Sequence, residues 1–187
     1  MKKHRFVLIC LIIIIAIALT SCNKVWGTKY VTNPKKYGKW ETYLDIPTFL
    51  PDSIEDYQVN SYSYTLYAFM DICYEIFLDI TVSEEQFKNL IKDARNYTDK
   101  YTEKVAYYDD DYTEIIYKDS YHISDYYGES SDNVEFATIY KVIYNLETLN
   151  VIYVSFETID SNVYDLNDVA YFNRFSIKQE EYVEHLN

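Results

Sequence analysis

The chain has 187 residues, with 17 Lys and Arg against 30 Asp and Glu, a formal net charge of −13. Such an acidic balance argues against a nucleic-acid partner, because binding phosphates needs a basic surface. Only three glycines are present, at positions 27, 38 and 128, so no phosphate-cradling loop or dinucleotide fingerprint can be assembled.

The N-terminus opens with Lys2, Lys3 and Arg5, runs through apolar residues from Phe6 to Leu19, and ends in Leu19-Thr20-Ser21-Cys22. A basic start, a short apolar run and small residues at a cleavage point are the anatomy of an export signal. The apolar run is shorter than the roughly 20 residues needed to span a bilayer. Leu19-Thr20-Ser21-Cys22 resembles the lipobox of bacterial lipoproteins. The resemblance implies cleavage between Ser21 and Cys22, a diacylglyceryl group on the Cys22 thiol, and localisation on the extracytoplasmic side of the cell membrane. Residues 1–21 are then signal peptide. They hold three of the basic residues and none of the acidic ones, so the mature part carries −16. With Cys10 removed and Cys22 acylated, only Cys73 is left, and no disulfide can form within the mature chain.

Residues 22–42 read as a lipidated basic tether. Gly27, Pro34 and Gly38 interrupt it and no apolar period is visible. It carries Lys24, Lys29, Lys35, Lys36 and Lys39, whereas residues 41–187 hold nine basic and thirty acidic residues. Two readings stand side by side. Lysines near an anionic bilayer gain about 1 kcal/mol each and would hold the tether against the surface; alternatively the tether is a solvated linker.

Residues 43–187 read as one acidic domain. Gln58–Met70 alternates, with Tyr62 and Tyr64 on one face, and Ile72–Val82 alternates more strictly; both patterns predict strands. Ser83-Glu84-Glu85-Gln86 has the form of a capping box. With Phe87, Leu90, Ile91 and Ala94 at helical spacing, it predicts a helix over about Ser83–Tyr97 packed by one stripe. Thr113–Tyr117 and Ser120–Tyr126 are expected as two short strands. Glu135–Tyr144 and Val151–Thr158 are expected as a hairpin, and Ser176-Ile177-Lys178-Gln179 suits the cap of a short C-terminal helix. The expected class is α+β: an antiparallel sheet with that one main helix on a face.

Catalytic patterns are sparse. His122 and His185 are the histidines beyond the signal, too few for a catalytic zinc site with three protein ligands. Cys73 with His122 could form a nucleophile and base, but nothing local marks an activated thiol, and Cys73 reads as a packing residue. Asp109-Asp110-Asp111 and the group Asp160, Asn162, Asp165, Asn167, Asp168 offer oxygens, yet the second lacks the glycine turn and closing glutamate of a calcium loop. No catalytic residue, metal or cofactor is therefore assigned. The 23 tyrosines suit recognition of a protein or glycan, with Tyr62 and Tyr64 on the expected binding face; the other reading is that tyrosine fills half-exposed sheet positions. Phe49-Leu50-Pro51-Asp52-Ser53-Ile54, the tyrosine strand and the acidic capping box before Phe87 resemble small lipoproteins of low-GC Gram-positive bacteria, a resemblance that carries no activity. The expected function is a membrane-anchored binding module, with an accessory lipoprotein of an envelope complex or sensor and an envelope hydrolase as the alternatives.

Overall fold

The computed structural model describes residues 27–68, 72–105, 112–123, 134–158 and 170–176. In chain order these form β1 (Gly27–Val31), β2 (Gln58–Ala68), β3 (Ile72–Thr81), helix α1 (Glu84–Asn96), β4 (Thr102–Val105), β5 (Tyr112–Ile123), β6 (Val134–Asn145), β7 (Asn150–Thr158) and a short helix α2 (Ala170–Phe175). The strands make one seven-stranded sheet in the order β1-β2-β3-β7-β6-β5-β4. Every neighbouring pair is antiparallel.

The expected α+β class with a main packed helix is overturned: the fold is largely β. Strands of 11, 10, 12, 12 and 9 residues carry the chain. Among the described residues only α1, with 13 residues, exceeds a short turn of helix. Its buried stripe is just Phe87, Ile91 and Ala94, too narrow to cover one face of seven strands. Irregular chain does the rest of the covering, so no helical layer exists. The capping box is present, with Ser83 Oγ accepting from the Gln86 amide and Gln86 Oε1 accepting from the Ser83 amide.

The face that carries α1, here the front face, packs Tyr62, Tyr64, Leu66, Ile76, Leu78, Ile80, Val142 and Tyr153 into one core cluster. The stretch from Val31 to Tyr57 closes over it. Tyr37 meets Trp40 and Tyr62 edge-on, with ring centroids 4.9 and 5.7 Å apart, and Trp40 meets Tyr64 at 5.9 Å. The Tyr37 hydroxyl donates to the Pro51 carbonyl at 2.7 Å. From Gly27 onward, then, the segment expected as tether belongs to the fold: residues 27–31 pair with residues 64–68 of β2. The segment shows no apolar period because its partner strand is distant in sequence and its bulky residues serve as a cover.

The opposite, back face holds a second cluster built on Phe77, Ile139, Ile143, Ile152, Val154, Phe156 and Tyr171. Helix α2 docks there through three kinds of contact. Tyr171 is fully buried, Glu75 Oε1 accepts from the Ala170 amide at 2.6 Å, and Arg174 Nε donates to Asp79 Oδ2 at 3.1 Å. Beside α2 lies a buried ionic group in which Lys141 Nζ is 2.7 Å from Asp119 and 3.6 Å from Glu114.

The two short strands expected at 113–117 and 120–126 are one strand, β5, with a register shift between Ile116 and Lys118. One extra residue inverts the alternation beyond it, and in sequence that inversion looks like a break. The β6–β7 connection is a four-residue turn in which Asn145 Oδ1 accepts from the Glu147 and Thr148 amides, both at 2.9 Å. The Ser176 cap falls at the last described turn, and residues 177–187 lie outside the described residues.

Candidate functional site

The motif Phe49-Leu50-Pro51-Asp52-Ser53 folds across the front face opposite α1. Leu50 donates to the Pro47 carbonyl and Tyr57 to the Ile54 carbonyl, which gives two successive turns. Gln86, on the first turn of α1, donates from Nε2 to the Asp56 carbonyl at 3.3 Å and pins the loop to the helix. Between them runs a groove of about 530 Å³, within the ~300–1,000 Å³ range of small-ligand sites.

The floor is aromatic. Phe49 sits at the centre of a ring cluster with Tyr97 at 5.4 Å, Tyr117 at 4.9 Å and Tyr153 at 6.5 Å. Tyr117 donates to the Ala94 carbonyl at 2.6 Å, which holds β5 against α1 beneath the groove. Phe49 and Tyr153 are buried, whereas Tyr97 is 39% exposed and forms a wall. The rim is acidic: Asp52 and Asp56 come from the loop and Asp93 from α1, and all three are exposed. Among the described residues, no lysine or arginine lines the groove. Burial raises the Tyr57 hydroxyl above its ordinary range, and the fields of Asp56 and then Asp93 raise it further. Two carboxylates from different elements thus act on the same hydroxyl.

Negative charge beside aromatic rings suits a cation, which gains from both the carboxylates and the ring quadrupole. Ser53 Oγ accepts from the Glu55 amide, and among the described residues no histidine lines the groove.

No protein-family model, no curated protein and no solved structure matches this chain.

The residues singled out by sequence end up in several places. Tyr62 and Tyr64 are 3% and 1% exposed; the cover from Tyr37 and Trp40 leaves them no open face. Burial raises both hydroxyls, that of Tyr64 to about 12. Lys29 on β1 is ion-paired with Glu41 at 2.7 Å and lies over the Tyr64 ring. Lys35, Lys36 and Lys39 are exposed around the single 3-10 turn Pro34–Lys36. Cys73 Sγ is hydrogen-bonded with Thr158 Oγ1 at 2.9 Å, inside the sheet. Ser21, Cys22, Lys24, Asp109–Asp111 and the Asp160–Asp168 group lie outside the described residues, as does the side chain of His122. Among the described residues, no helix is long and apolar enough to cross a membrane. The groove residues Asp56, Tyr57, Asp93 and Tyr97 were not foreseen as a site. Phe49–Asp52 stood out only as a turn, and nothing local signals that the turn faces α1.

Proposed function

We propose that this chain is an exported lipoprotein, held at the extracytoplasmic face of the membrane by acyl groups on Cys22. Its domain is a binding module whose aromatic and acidic groove takes a cationic side chain of a partner protein. The carrying observation is the groove itself: Asp52, Asp56 and Asp93 line it together with Phe49, Tyr57, Tyr97 and Tyr153, and among the described residues no basic side chain lines it. The lipobox-like Leu19–Cys22 run supports the anchor independently.

Two measurements test the two halves separately. Mass spectrometry of the native protein is expected to find a lipid-modified Cys22 at the N-terminus; an unmodified or different terminus refutes the anchor. Titration of the full chain with a fluorescent oligolysine peptide is expected to give salt-sensitive binding that weakens about tenfold in the Asp56→Asn/Asp93→Asn variant. Glu84→Gln/Glu85→Gln removes the same charge outside the groove. If it weakens binding equally, the groove is not the site and only the net charge is acting.

A further inference from the structure

A second cleft, of about 360 Å³, opens on the back face between β1–β3 and α2. Alternate residues of β2 place three hydroxyls in a row along it: Ser61, Ser63 and Thr65. Register sets their surroundings. Thr65 lies between Tyr30 of β1 and Glu75 of β3, and Ser63 lies opposite Phe77. Ser63 is 6% exposed, and its Oγ has no hydrogen-bond partner among the described residues. A buried hydroxyl left unsatisfied is costly, and in native proteins such a group calls for an explanation. Tyr30, at the mouth, is 67% exposed and leaves its ring open to a ligand.

The charges in the cleft offset one another. Arg174 is paired with Asp79 through Nε, and that carboxylate together with Glu75 offsets its pull on an anionic ligand. Glu75 accepts from the Ala170 amide at the start of α2, and burial pushes its carboxyl up to about 7, so near neutrality it is only partly ionised. Beside the Arg174–Asp79 pair, the cleft presents a row of neutral donors and acceptors next to an exposed ring.

We infer that this cleft binds a neutral sugar unit, whose hydroxyls meet Ser61, Ser63 and Thr65 while its C–H face lies on Tyr30. Hydroxyls both donate and accept, so the β2 row matches a polyol and supplies the partner that Ser63 lacks. The site is separate from the acidic groove, which lies on the opposite face of the sheet.

The test is ligand-observed NMR and calorimetry on the full chain in a sugar-free detergent. The probes are glucose, N-acetylglucosamine and chitobiose, with glycerol phosphate as the anionic control. Saturable binding of at least one neutral sugar is expected. Ser63→Ala is expected to weaken it about fivefold, the worth of one net hydrogen bond, without lowering the melting temperature, since it deletes an unsatisfied group. Tyr30→Ala is expected to weaken it further. The inference is overturned if none of the three sugars binds, if glycerol phosphate binds more tightly than all of them, or if Ser63→Ala leaves the affinity unchanged.

Discussion

Glu75 is a carboxylic acid within the back face of the sheet, 2% exposed. Burial is the main cause of its raised pKa, and the Ala170 and Tyr171 amides offset only part of it. Its folded value, about 7, lies above the ordinary 4.5, so the folded state holds the proton where the unfolded state has lost it. The sign follows: the contribution to stability is complete below about pH 4.5 and is lost as pH rises through 7. The loss amounts to roughly 3 kcal/mol at most. Glu75→Gln keeps acceptors for the two amides and removes the titration. In urea denaturation its stability is expected to match the parent near pH 5 and to exceed it at pH 8; equal curves at both pH values would show that Glu75 ionises freely. Lys141 is fully buried and held between Asp119 and Glu114; its replacement by Met is expected to cost roughly 3–5 kcal/mol in urea denaturation, because Asp119 loses the cation 2.7 Å away and Glu114 loses one of its cations, Lys104 remaining at 3.8 Å. At this scale the sequence was least informative. Tyr62 and Tyr64 alternate as they would on a half-exposed strand, and only Tyr37 and Trp40, more than twenty residues upstream, bury them.

Among the elements, those whose signals are local could be read in advance. The alternation of β3, the Ser83–Gln86 box and the hairpin turn, expected around Leu146–Asn150 and ending one residue earlier, each depend on neighbours within a few residues. The edge strands could not be read so. β1 and β4 are five and four residues long, too short to display alternation, and β1 pairs with a strand whose last residues lie about forty positions later. The bulge near Tyr117 breaks the period of β5, and the one well-marked helix has a stronger local signal than the several weakly marked strands that make up most of the fold. The groove shared this difficulty: each half was visible as a turn or a helix, and their meeting was not. Two outcomes belong here. Ser83→Ala is expected to cost about 1 kcal/mol in urea denaturation, the usual worth of an N-cap. Removing residues 1–32 strips β1 from β2 and bares a long strand edge, which invites pairing with other chains. Light scattering is expected to show self-association of that shortened chain, and a monomer would mean that the Val31–Tyr57 cover protects the edge unaided.

For the molecule as a whole, charge is divided along the chain. The basic residues Lys29, Lys35, Lys36 and Lys39 lie in β1 and the segment that follows it, while residues 41–187 are strongly acidic. Because pairing begins at Gly27, just four residues separate it from Cys22. Fully extended, that stretch reaches about 18 Å. Lengthening it with a Gly-Ser insert of about 20 residues after Lys24 is expected to reduce energy transfer from tryptophan to a dansyl-labelled lipid in reconstituted vesicles. Unchanged transfer would mean that the domain already stands clear of the bilayer. If Cys22 is acylated as proposed, so short a leash makes the chain diffuse as part of the leaflet and keeps its β1 edge within reach of the headgroups. Encounters with any neighbour in the same leaflet then become a search in two dimensions, and soluble ligands must approach from the one side left open.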